Sequence, residues 1–144
     1  MCQLNNGLSK SQKVKLHLTD VKWDWQNIKD KNDSSIVLRI VYGENEVLLT
    51  GDASKKIEKF LVSKYGSRLE SDILKLGHHG SKTSSSELFL RTVKPKSVVV
   101  SAGSNNRYGH PHKSVMDLVG RLNSSLYSTI NDSIIVFKLF PNIN

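Results

Sequence analysis

The chain holds one cysteine, three prolines and no long apolar run among its 144 residues. The single thiol, Cys2, excludes an internal disulfide and a cysteine-built zinc cluster, and leaves the redox compartment unreadable. No stretch approaches the roughly 20 apolar residues that span a bilayer, and residues 1–10 have no apolar core of a signal peptide. As written, the chain is expected to be soluble and without an export signal, its compartment otherwise unknown. Acidic charge is also scarce: 13 Asp and Glu stand against 21 Lys and Arg, a net charge of +8. That balance favours anionic partners such as nucleic acid or phosphate esters. The basic residues, among them Lys55, Lys56, Lys59, Lys94 and Lys113, are spread along the chain, so a disordered polybasic tail is excluded. A solvated basic surface explains the same charge equally well.

What is present is an ordered succession of short periodic segments. Val14, Leu16 and Leu18 alternate with Lys15 and His17, the period of a strand. Residues 19–34 hold Trp23 and Trp25 among charged and amide side chains and read as a loop. Residues 35–42 (SIVLRIVY) and 46–50 (EVLLT) form a predicted hairpin about a short Gly43-Glu44-Asn45 loop. Ile57, Phe60, Leu61 and Tyr65 predict a helix over 53–65, closed by Gly66. Strands are expected at 72–76, 97–101, 126–129 and 133–139, and helices at 84–93 and 111–122, with Pro95 stopping the first and Pro111 opening the second. The pattern is α/β, a mixed sheet with three covering helices. It divides into an N-terminal strand and variable loop (1–31), a main unit (32–139) and a tail (140–144).

Chemistry concentrates in three places where a predicted strand runs out into a loop. Thr50-Gly51-Asp52 comes first, and Gly77-His78-His79-Gly80-Ser81 begins 25 residues after that aspartate. Asp52 precedes a helix, so it reads either as an N-cap or as a carboxylate for a hard metal ion; Lys55 stands where a capping box would need Glu or Gln. Two histidines between glycines suit close backbone approach to a ligand: one imidazole can ligate, its neighbour can hydrogen-bond or move a proton. The third place is residues 105–112 (NNRYGHPH), where Arg107, Tyr108 and His110 offer donors beside a helix entry that could accept a phosphate. A plain helix-entry turn explains that segment too.

Taken together, TGDA, LKLGHHGSKTSS and SAGSNNRYGHPH resemble the metallo-β-lactamase-like domain of ComEC-type competence proteins, over about residues 32–137. The resemblance implies the second half of an αββα sandwich. It implies that Asp52 bridges two divalent ions, Zn or Mn, and that His79 is a ligand of the second, with His78 on the substrate side. His78, His110 and Tyr108 become catalytic candidates. Ser81, Lys82, Asn106 and Arg107 become phosphate-binding candidates. The implied activity is metal-dependent phosphodiester cleavage linked to DNA uptake, DNA or another phosphodiester being the partner. In that family the domain accompanies membrane-spanning segments.

One departure stands out. Superfamily members carry an earlier His-x-His-x-Asp-His motif, and before His78 this chain has only His17. Two ligands hold a metal loosely, since catalytic zinc normally takes three from the protein. The expectation is at most one weakly bound ion and little hydrolysis by the chain alone. A complementary N-terminal half, or self-association through an uncovered apolar sheet face, is expected as well. The alternative is a non-catalytic DNA- or phosphate-binding remnant or half-domain that needs a partner chain.

Overall fold

A computed structural model describes residues 15–18, by their backbone alone, and residues 31–141. Strands β2 (Leu38–Tyr42) and β3 (Asn45–Leu49) form the expected hairpin. Gly43 takes the positive φ the turn demands, and the Asn45 amide donates to the Tyr42 carbonyl at 2.9 Å. Strand β1 (Lys15–Leu18) adds antiparallel to β2, pairing Leu16 with Ile40. From β3 onward the chain alternates: α1 (Lys55–Tyr65), β4 (Ile73–Lys75), α2 (Glu87–Val93), β5 (Ser97–Val100), α3 (Lys113–Val119), β6 (Ser125–Ser128) and a single turn α4 (Thr129–Asp132). Strands β3 to β6 are parallel, and the six strands lie in sequence order in one mixed sheet. The α/β architecture expected from the sequence is the one present.

Strand periodicity divides the sheet into two faces. Leu48, Leu74, Leu76, Val98 and Val100 point to the helices and pack on Ile57, Leu61, Phe89, Leu90, Val93, Val115 and Val119 in one core. Their neighbours in register, Val47, Leu49, Ile73, Lys75, Val99 and Tyr127, lie on the opposite face.

Several element ends differ from the sequence reading. Helix α1 begins after Ser54, so Asp52 is not an N-cap. Helix α2 begins after Ser86, whose hydroxyl accepts from the Phe89 amide, and it ends at Lys94 in the left-handed region before Pro95 is reached. Helix α3 is shorter than residues 111–122: His112, not Pro111 or His110, precedes it, and its ring accepts from the Ser114 amide. The strand expected at 133–139 is absent. From Ser133, which turns at φ 57°, that segment crosses the sheet: Phe137 packs edge-on to Tyr127 of β6 at 5.2 Å, and the Phe140 carbonyl accepts from Asn45 of β3 at 2.8 Å. A segment lying across strands cannot form a ladder with any of them. The loop with Trp23 and Trp25 falls outside the described residues.

Candidate functional site

The three motifs leave the carboxyl ends of three adjacent parallel strands, β3, β4 and β5, and so meet on one rim of the sheet. In open α/β sheets that rim is where ligands bind. The first loop turns at Gly51, φ 54°, and the Asp52 amide donates to the Ser35 hydroxyl at 3.0 Å. The second is a tight turn in which His78 and His79 both adopt left-handed backbone, φ 46° and 55°. It is tied to the first by the His78 amide, which donates to the Gly51 carbonyl at 3.0 Å. The third, from Ser101 to Pro111, docks on the second: the His112 amide donates to Gly80 O at 2.9 Å, and a Cβ on Gly80 would stand 2.8 Å from that of Pro111. Only glycine fits there.

His79 and Asp52 face each other, Nε2 to Oδ1 at 4.0 Å, both half-exposed. The other ring nitrogen of His79, Nδ1, donates to the Ser101 carbonyl at 2.6 Å. A carbonyl can only accept, so Nδ1 carries a proton and Nε2 is the ring nitrogen left to face Asp52. His78 is turned otherwise: its Nδ1 lies 3.4 Å from the Thr83 hydroxyl, and its ring meets His110 edge-on at 5.5 Å. His110 stacks on Tyr108 with ring centroids 5.9 Å apart, and its Nδ1 is buried without a partner among the described residues. Burial, then the neighbouring His78, His79 and His112, push the His110 pKa down, against an opposing pull from Asp52. His110 is therefore neutral near pH 7. A cleft of about 210 Å³ runs between His79, Ala102, Gly103, Asn106, Tyr108 and His110.

The residues singled out from sequence thus share one rim, in different states. Asp52, His79, His78, His110 and Tyr108 surround or adjoin the cleft. Arg107 is exposed, its guanidinium over the Tyr108 ring at 5.1 Å and bonded to the Tyr108 hydroxyl at 2.9 Å. Lys82 is exposed. Asn106 spends its amide on the loop itself, donating to Gly103 O and His110 O and accepting from the His110 amide. Ser81 is buried, with its hydroxyl engaged by Thr83. Both brace the loops from within.

Sequence reasoning missed four contributors. Ser101 acts through its backbone carbonyl, which carries no sequence signal. Lys75, at the end of β4, is half-buried; its ammonium donates to Leu76 O at 3.2 Å, and burial lowers its pKa against the pull of Asp52. Asp33 accepts from the Ser54 hydroxyl and pairs with Lys56 at 3.3 Å, steadying the start of α1 behind Asp52. Glu58 is fully buried, and its carboxylate takes the backbone amides of Ser85 and Ser86, the latter at 2.7 Å. An acid aligned with Ile57 and Leu61 on a helix's inner face was the available signal.

The donor set fits part of a metal site. An imidazole whose far nitrogen is anchored to a carbonyl, opposite a carboxylate, is how proteins orient metal-binding histidines. Among the described residues, however, no group of three or more His, Cys, Asp or Glu side chains is arranged to hold an ion.

The sequence matches the Metallo-beta-lactamase superfamily over residues 14–104, and the chain belongs to that superfamily. Its relatives are competence proteins of the ComEC family. It is 42% identical over 115 residues to Competence protein ComA of Neisseria gonorrhoeae, covering 72% of this chain and 17% of that protein. It is 39% identical over 108 residues to ComE operon protein 3 of Bacillus subtilis, 75% of this chain and 14% of that one. Recombination protein 2 of Haemophilus influenzae is 37% identical over 119 residues, 74% and 15% respectively. The chain therefore spans about a sixth of the length of the relatives it matches. No helix among the described residues is long and apolar enough to cross a membrane.

Proposed function

We propose that this chain carries the second half of a metal-dependent phosphodiesterase or nuclease site that acts on DNA during its uptake. The observation that carries this reading is the His79 ring, anchored at Nδ1 by Ser101 and turned toward Asp52 at 4.0 Å. Asp52 and His79 would hold a divalent ion, Zn or Mn, which supplies Lewis acidity toward a phosphoryl oxygen. The remaining work belongs to the chain's own side chains. His78 and His110 flank the position a substrate oxygen would take, each able to pass a proton. Tyr108, exposed and backed by His110, offers a stacking surface for a base, and Arg107 beside it offers a charge for a phosphate.

The competing reading, a binding module that does not cleave, is favoured by one fact: two candidate ligands are fewer than a catalytic metal needs. The two readings part on one assay. Hydrolysis of a single-stranded oligonucleotide is followed with Mn²⁺, with and without the segment that precedes the matched region in a relative. Cleavage that appears only with that segment, and disappears in His79→Ala, supports the half-site. Metal-independent binding with no cleavage under either condition supports the module.

A further inference from the structure

We propose that the opposite rim of the sheet, where β4, β5 and β6 begin, is a second anion site that takes the phosphodiester backbone of single-stranded nucleic acid. It goes beyond the metal site and does not depend on it. The chain ends of α1, α2 and α3 all arrive at this rim, and each delivers cations. Lys64 and Arg68 come from the end of α1 and the turn Gly66–Leu69, Arg91 and Lys94 from the end of α2, Lys96 from the start of β5, and Arg121 from beyond α3. With Arg39, which pairs with Glu46 at the same rim, seven basic side chains stand against four acidic ones, Glu46, Glu70, Asp72 and Glu87, a surplus of three positive charges.

A cleft of about 320 Å³, larger than the one beside His79, opens between Arg91, Lys94 and Arg121. Leu90, Pro95 and Leu122 give it an apolar lining, and Asn123 adds an amide. The ion pairs at its edge do not close it. Arg91 binds Glu87 at 2.8 Å and Lys94 binds Glu70 at 2.6 Å, yet Arg91, Glu87 and Lys94 are exposed and Glu70 is half-exposed. Exposed pairs of this kind are weak and exchange readily for a phosphate. Arg121 has no carboxylate within ion-pair distance among the described residues. Further along the rim, Lys64 lies over the Phe60 and Tyr65 rings at 5.5 and 5.2 Å, and Arg68 lies over Tyr65 at 5.5 Å. Cations interleaved with aromatic faces beside an apolar-lined groove are what a single strand uses: charge for its backbone, flat surface for its bases. A bilayer would ask instead for a flat surface with protruding apolar side chains.

The test is fluorescence anisotropy of a labelled oligothymidylate with the whole chain, in EDTA, across a series of NaCl concentrations. The triple variant Arg91→Gln, Lys94→Gln, Arg121→Gln should bind at least about tenfold more weakly at low salt. Its slope of log affinity against log salt should shrink by about 2, since each phosphate contact on a single strand contributes roughly 0.7. The single Arg121→Glu should show the same trend to a smaller degree and guards against misfolding of the triple. EDTA removes any contribution of the metal site, and Lys31→Gln with Lys59→Gln, two exposed cations outside this cleft, should change affinity and slope far less than the triple, so a general loss of positive charge and loss of this site are told apart. Unchanged binding in both rim variants would overturn the proposal, as would a parent that ignores the oligonucleotide or binds only vesicles containing phosphatidylglycerol.

Discussion

At the residue scale, the site is built at the expense of backbone comfort. His78 and His79 are consecutive side chains in left-handed conformation, which costs an L-residue on the order of 1–2 kcal/mol each. The turn survives because its backbone is bonded at both ends, from the His78 amide to Gly51 and from the Ser81 amide to His78. Strain of this sort gathers where a site must aim side chains. His78→Gly should therefore raise the unfolding free energy, by up to about 1 kcal/mol, because the only hydrogen bond its ring makes among the described residues is the long 3.4 Å contact with Thr83. Urea melts of variant and parent decide it, and a less stable variant would show that the imidazole is held for packing. The residues here were legible in the sequence because few motifs place histidines between glycines after a strand. Their separate stances were not, since the Ser101 carbonyl that orients His79 has no side-chain signature.

At the scale of elements, the loop from Ser81 to Ser86 connects the histidine turn to α2 and is fastened from below by α1. Glu58 accepts the Ser85 and Ser86 amides, the Lys55 amide donates to Thr83 O at 2.8 Å, and the Ser84 hydroxyl donates to Gly77 O at 2.7 Å. Burial raises the Glu58 pKa above its usual 4.5, although the Ser86 and Ser85 amides and Lys55 oppose it. Folding thus favours the protonated acid. That contribution is fully present below about 4.5 and is lost as pH rises through the folded value. Glu58→Gln should remove this downward slope while costing roughly 1–3 kcal/mol, because one amide oxygen must serve two backbone donors. Melts at a series of pH values from 4 upward, in parent and variant, give the comparison; an identical slope in both would acquit Glu58. Strand and helix order was readable from periodicity. The ends were not: Ser54, Ser86 and His112 each compete with nearby residues of similar capping ability.

At the scale of the molecule, the segment after β6 was misread for an instructive reason. Residues 133–139 are apolar on both sides and strongly β-forming, the pattern of a strand between two layers. In this chain one side, Ile135, Phe137 and Leu139, is half-buried, while Ile134 and Val136 on the other are 79% and 75% exposed and Phe140 is 66% exposed. Periodicity reports what a segment can bury, not whether a partner layer is in place. Exposed apolar rows of this kind drive association. The chain should sediment as a concentration-dependent mixture, and Ile134→Ser with Val136→Ser should shift it toward monomer. A parent that is monomeric at all concentrations would remove this segment as a contact surface.

The central claim is that Asp52 and His79 are two ligands of an incomplete divalent-metal site. Calorimetric titration of this chain with Mn²⁺ and Zn²⁺, in parent, Asp52→Asn and His79→Ala, tests it most directly. The account predicts one weak site, with affinity no tighter than about micromolar for two protein ligands, lost in either variant. Binding that survives both substitutions, or no binding at millimolar metal, would contradict it.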